Sequence, residues 1–274
     1  MRRAIRKAML LTVLAAVPNV ARAGWVSEWT NTAVKQNGDR MDPQNSSMAI
    51  SGGRVRLEQP EVLTLIDYSA GTFTLANSAK QVFWSGSIDD YVRQIARSRA
   101  MGLREKLGRG EQRNKKLVDA DAKEFKPAQV DPAKLPPVSI VKTDVTEKIA
   151  GYDTVKYECR AAGDLFQEIW VAPGLDMSSD LDIDRFLALQ RQLSAGMVGK
   201  AAGQYNALYR DDEYRKVLEK ATALKMVTHH MGGSFEHTAT SVRQADVAAS
   251  QFAVPATYRK VKLSDVLPAP PPEK

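Results

Sequence analysis

All three histidines of the 274-residue chain fall in one stretch, Val227 to His237, which reads VTHHMGGSFEH. His229, His230 and His237 are the side chains here best suited to metal ligation or to proton transfer near neutral pH. Their spacing argues against convergence. A two-residue turn at Gly232-Gly233, a pairing favoured in hairpins, sets Met231 opposite Ser234, His230 opposite Phe235, His229 opposite Glu236 and Thr228 opposite His237. His230 and His237 then share one face, and His229 and Glu236 share the other. Each face offers at most two ligands, where a catalytic zinc site needs three. The expectation is a polar hairpin surface without a metal.

Other constellations fail on the same kind of test. The chain has no H-E-x-x-H, no Cys-x-x-Cys, no G-x-S-x-G elbow, and neither a P-loop nor G-x-G-x-x-G. A serine nucleophile would need one of the three histidines as its base, and nothing marks which serine. The run Ser179-Asp180-Leu181-Asp182-Ile183-Asp184 lacks the glycine and the terminal glutamate of a calcium loop, and acidic residues suit a helix start. Asp164 and Glu168 could form a carboxylate pair, but polar residues alternating along a strand are the ordinary case. The lone Cys159 alternates with Val155 and Tyr157 on a strand and reads as a small apolar side chain. The sequence thus predicts no enzyme, no cofactor and no catalytic residue.

The N-terminus reads MRRAIRKAMLLTVLAAVPNVARA. Basic residues, a short apolar run from Ala8 to Val17, and Ala21-Arg22-Ala23 together predict an export signal over 1–23, cleaved after Ala23. The apolar run is shorter than the roughly 20 residues of a spanning helix, so no transmembrane segment remains after cleavage. Removing the five positive charges of this segment from the formal +7 leaves +2, which removes the case for nucleic-acid binding. One cysteine allows no internal disulfide, which suits a periplasmic destination only if the fold holds without a staple.

From Gly24 the pattern predicts one α+β domain over 24–265. Trp25, Val26 and Trp29 mark a first strand. Ser47–Ile50 and Arg54–Leu57 alternate around Gly52-Gly53 as a hairpin, followed by strands over Val62–Asp67, Thr72–Leu75 and Lys80–Ser85. Ser87 caps a helix bearing Ile88, Tyr91, Val92 and Ile95 on one face. A charged, proline-bearing linker is expected near 109–137. Strands return at Val138–Thr146, Tyr152–Arg160 and Leu165–Val171. Met177–Leu224 reads as helical, started by Ser179 or Asp180 and restarted by an Asp211 cap, and Met226–Met231 and Ser234–Ala245 read as strands. The tail over 266–274 is proline-rich and expected to be disordered.

Three segments together resemble a known family: GGRVRLEQPEVLTLIDYSAGTFTLANSAKQVFW, EKIAGYDTVKYECRAAGDLFQEIWVAPGL and SQFAVPATYRKV. Their order resembles the bacterial envelope proteins grouped as domain of unknown function 4412, which are similar to the LolA-like and LppX-like carriers. The resemblance implies an open, curved antiparallel sheet, a half-barrel with helices on its concave side around an apolar hollow. It also implies lipid or lipoprotein handling.

Two expectations for contact follow. Trp84, Tyr157, Phe186, Leu187 and Tyr214 are candidate liners of an apolar site, and each also fits an ordinary core. The segment from Arg93 to Lys116 carries nine basic and two acidic residues; Arg97, Arg104 and Lys106 within it are candidates for an anionic surface. The leading expectation is a periplasmic binding or carrier-like module for an apolar ligand or lipidated partner. The alternatives are an envelope interaction module without a ligand, whose partner is another envelope protein, and, last, a histidine metalloprotein.

Overall fold

A computed structural model of the chain describes residues 22–95, 97–98, 130–195, 200–230 and 232–267. The expected signal up to residue 21, most of the charged linker, Arg104, Lys106 and the tail beyond 267 lie outside the described residues.

The strands are β1 (Arg22–Val34), β2 (Gln44–Ser51), β3 (Arg54–Glu58), β4 (Val62–Asp67), β5 (Thr72–Asn77), β6 (Val82–Ser87), β7 (Val138–Ile149), β8 (Tyr152–Ala161), β9 (Asp164–Ala172), β10 (Thr222–His230), β11 (Gly233–Val247) and β12 (Arg259–Lys260). They form a single open sheet in the order β12-β6-β5-β4-β3-β2-β1-β11-β10-β9-β8-β7. Every pairing is antiparallel except the short β12, which runs parallel to β6. Two meanders are joined where β1 pairs with β11 along nearly their whole lengths. The observed class is an α+β fold on a mostly antiparallel, unclosed sheet.

Local sequence explains the hairpins. Gly52 and Gly53 both take positive φ between β2 and β3, a conformation that suits the twist of a two-residue turn. Alternation then sends Trp25, Ile50, Val55, Ile66 and Phe73, which face one another across β1 to β5, to one side of the sheet. That side carries the helices. Helical residues 88–95 (α1) begin at Ser87, whose hydroxyl accepts from the Asp90 amide at 3.0 Å. Ile88, Tyr91 and Ile95 pack on Phe73, Leu75 and Trp84.

The other helices are α2 (Ile183–Ala195), α3 (Lys200–Leu208) and α4 (Asp212–Lys220). Leu187, Leu208 and Tyr214 pack on Cys159, Phe166, Ile169 and Val171. Asp211 caps α4 as expected, accepting from the Tyr214 amide at 2.9 Å. The cap of α2 is a correction: the Asp182 carboxylate accepts from the Arg185 amide at 3.0 Å, while Asp180 accepts from the Gly52 amide of the β2–β3 turn. Helical structure also ends earlier than expected. Leu224 lies in β10, fully buried, because the sheet has a place for this apolar side chain that the sequence does not announce.

The hairpin of the histidines holds a second correction. His230 pairs with Gly233, His229 with Ser234 and Thr228 with Phe235, so the reversal falls between His230 and Gly233, one position earlier than a Gly232-Gly233 turn. A Cβ on Gly233 would lie 2.5 Å from the Val34 carbonyl oxygen of β1, so this glycine serves close strand approach, and Gly232 takes the positive φ of the turn.

The opposite face is crossed by the C-terminal segment. After β11 a short helical turn, Ala249–Phe252, leads over Leu63, Leu65, Ala76 and Phe83, on which Val254 and Tyr258 pack. The chain then adds β12 at the β6 edge and turns onto the helix-bearing side as α5 (Leu263–Val266), with Leu263 and Val266 buried against Phe73, Leu75 and Trp84.

Candidate functional site

The shifted hairpin register preserves the alternation, so His229 and His237 still point to opposite faces. His229 Nε2 lies 2.7 Å from Glu168 Oε2 on the neighbouring strand. His237 Nδ1 lies 2.6 Å from Asn31 Oδ1, and the Asn31 amide donates to the Ser46 hydroxyl at 2.9 Å. Burial pushes the His237 imidazole below its usual range, which favours the neutral ring. Among the described residues no three His, Cys, Asp or Glu side chains are gathered for one metal ion. Cys159 is fully buried, and burial first, then the Asp211 charge, pushes its thiol up to about 12. A thiol held protonated in this way is a poor nucleophile.

The five apolar candidates separate. Trp84 belongs to the packing of α1 and α5 on β5 and β6. Tyr157, Phe186, Leu187 and Tyr214 come together between α2, α4 and the sheet. There Leu187 and Tyr214 are each only 1 % exposed. The Tyr214 hydroxyl donates to Gln167 Oε1 at 2.8 Å, and the Gln167 amide donates to Thr228 Oγ1 at 3.3 Å. This is a satisfied core, and none of the five lines the clefts described here. Arg97 is exposed on the residues following α1.

The helix-free face divides into two halves of different electrostatic character. On β8 to β10 the charges are satisfied. Lys156 pairs with both Glu158 and Glu168, His229 also meets Glu168, and Lys225 lies within 3.3 Å of Glu147 and 3.9 Å of Glu236. Lys156 and Lys225 both sit over the Trp170 ring, at 5.4 and 4.7 Å from its centroid. Burial alone would raise the Glu168 carboxyl, but hydrogen bonds from Lys156 and His229 outweigh it and hold the group below the usual glutamate range.

On β1, β2, β3 and β11 the same face carries a cleft of about 710 Å3. Its floor follows from the register: Arg243, Val26, Ala49 and Arg56 lie in one cross-strand row, and Glu28 and Ser47 in the next. Asp246, Ser250 and Gln251 form the wall where the chain leaves β11. Arg56 fixes that wall by donating to the Gln251 carbonyl at 2.9 Å, and it also pairs with Glu58. The Glu28, Arg243 and Asp246 side chains are exposed and make no hydrogen bond or ion pair within the described residues. The sequence gives no sign of this site, because it depends on which charges the register leaves without a neighbour.

Two smaller clefts lie elsewhere. One of about 380 Å3 is lined by Asp180, Asp182, Asp184 and Glu219 near the start of α2. Arg185 and Arg215 pair with Asp182, Asp184 and Glu219, which accounts for most of that charge. Another of about 290 Å3 separates α1 from α2, lined by Tyr68, Ile88, Leu189 and Gln192.

No helix among the described residues is long and apolar enough to cross a membrane. No family model matches the chain, and no curated protein matches it. Among solved structures, the chain is similar at 12 % identity to PNGF-II, with a TM-score of 0.35, covering 88 % of this chain and 32 % of that one. It is similar at the same identity to the MucA/MucB complex of Pseudomonas aeruginosa, with a TM-score of 0.36, covering 89 % of this chain and 59 % of that one. For MucB alone the TM-score is 0.30, with 87 % and 60 % covered. The chain therefore spans about a third of PNGF-II and about three fifths of the MucB chains. Likeness at this level carries no inference about activity or partners, and the functional reading rests on the residues themselves.

Proposed function

We propose that this chain is a non-enzymatic binding module of the bacterial envelope, which holds a polar partner in the cleft on the helix-free face. One observation carries the reading: Glu28, Arg243 and Asp246 are unpaired charges around one cleft, on a face whose other half neutralises its charges internally. Strand pairing fixes where these charges are rooted, and a complementary partner orders their exposed side chains on binding. Export by the N-terminal signal and kinship with the LolA-like and domain-of-unknown-function-4412 proteins belong to the same proposal. So does the absence of catalysis, supported by the dispersal of the histidines and the burial of Cys159.

The test is capture from an envelope extract on the immobilised protein at low salt, beside Arg243→Glu and Glu28→Lys. A specific band retained by the wild type and lost from both variants supports the reading. A band retained equally by all three overturns it. A second reading, the apolar-ligand carrier, draws on the gap between α1 and α2 lined by Tyr68, Ile88 and Leu189. It predicts a co-purifying lipid near one-to-one in native mass spectrometry, reduced when Leu189 is replaced by a bulkier Trp.

A further inference from the structure

Glu28 and Arg243 stand in a defined relation. Arg243 pairs directly with Val26, and Glu28 lies two residues along β1 on the same face, so the acid and the base are diagonal neighbours. Diagonal side chains on an antiparallel pair are about 7–8 Å apart, and these two form no ion pair with each other. In an extended polypeptide, side chains two positions apart share a face and are separated by two rises of about 3.3 Å, close to 7 Å. The spacing of the unpaired charges therefore matches an acid and a base placed at i and i+2 of a strand. Arg56 is engaged by Glu58 and the Gln251 carbonyl, so the unpaired charges of the lining are two acids and one base, which disfavours a strongly acidic segment. Ser47 and Gln251 lie beside the charges as residues whose side chains can hydrogen-bond a main chain.

We infer that the cleft takes an extended segment of a partner polypeptide carrying a basic and an acidic residue two positions apart, the base against Glu28 and the acid against Arg243. The inference rests on the proposed binding role of the cleft and specifies its ligand.

The experiment measures fluorescence anisotropy of the purified full chain with three labelled synthetic peptides of one composition. Two carry Lys-Ser-Glu or Glu-Ser-Lys in a Gly/Ser context, and the third carries Lys and Glu adjacent, which sends them to opposite faces of an extended chain. The expected result is that one spaced peptide binds about tenfold tighter than the adjacent one in 50 mM salt, and that the preference collapses in 500 mM salt. Arg243→Glu abolishes the preference. The double reversal Glu28→Arg with Arg243→Glu restores binding and exchanges the preferred order. Both positions are exposed and unpaired, so thermal midpoints of the variants should match the wild type, and an unfolded variant is recognised at once. Equal affinity for all three peptides, no measurable binding, or full competition by phosphoethanolamine as a small zwitterion overturns the inference. If it falls while charge-dependent capture from the extract persists, the binding role stands and only the ligand class is wrong. If capture fails too, both fall.

Discussion

Glu168 shows how single residues set the behaviour of the helix-free face. It is shared by Lys156 and His229, and its carboxyl is held below the usual glutamate range despite partial burial. A carboxylate with a depressed folded pKa adds stability above its unfolded value, and that contribution fades as pH falls through the folded value. Glu168→Gln should therefore cost about 1 kcal/mol at pH 7. The gap to wild type should close below the ordinary glutamate pKa, which urea midpoints at pH 7 and pH 3 would measure. A gap that stays constant with pH would mean that packing, not charge, is lost. Tyr214 is the corresponding case in the core. Tyr214→Phe removes the donor to Gln167 and leaves a buried acceptor unsatisfied, for an expected loss of about 1–2 kcal/mol in urea unfolding. A neutral outcome would mean that Gln167 finds another donor. At this scale the sequence was partly informative. The alternation separated His229 from His237 correctly, but it paired His229 with Glu236, whereas the ring meets Glu168 on a strand that no local pattern links to it.

At the scale of elements, glycines and caps account for most of what could be read in advance. The hairpin around Gly52-Gly53 was legible because period-two alternation and turn residues coincide. The exact turn of β10 and β11 was not, since Gly232-Gly233 fits two registers equally by propensity. The choice is made by β1, whose Val34 carbonyl leaves no room for a side chain at Gly233. Gly233→Ala should therefore destabilise by about 1–3 kcal/mol through backbone displacement. Gly174→Ala, with open space around it, should be nearly neutral. Comparing the two thermal midpoints checks this; equal effects would mean that the β1 contact yields freely. The helical stretch was overextended to Leu224 because an apolar residue after α4 continues the helical pattern, while the sheet claims it as buried strand. Asp211 was legible because a cap acts within three residues, where sequence and structure are nearly the same information.

The whole molecule depends on contacts that no local signal encodes. β1 pairs with β11 across more than 200 residues of chain, as with Trp25 and Gln244, and this pairing fuses two meanders into one open sheet. The C-terminal segment then crosses the helix-free face, walls the cleft through Arg56 and Gln251, covers the β6 edge and buries Leu263 on the far side. A strap held by a two-residue strand and a four-residue helix is a natural unit of local opening. Leu263→Ala should speed hydrogen exchange at the Arg259 and Val261 amides, which bond to the Gln81 and Phe83 carbonyls, far more than at the β1–β11 amides. Uniform acceleration across the sheet would mean that the strap unfolds only with the rest. The cleft was invisible in sequence for the same long-range reason. Its floor comes from β1, β2, β3 and β11 and its wall from the strap, and only their assembly leaves Glu28 and Arg243 adjacent and unpaired.

The central claim is that this cleft is the binding surface, and site-specific photo-crosslinking in producing cells tests it most directly. A photoreactive residue at Ser47 should form an adduct with a partner, and the adduct should vanish on Arg243→Glu. The same group at the exposed Phe235, on the helix-bearing face, should form none. An adduct from position 235 and none from position 47, or one at 47 that ignores the charge reversal, would contradict the account.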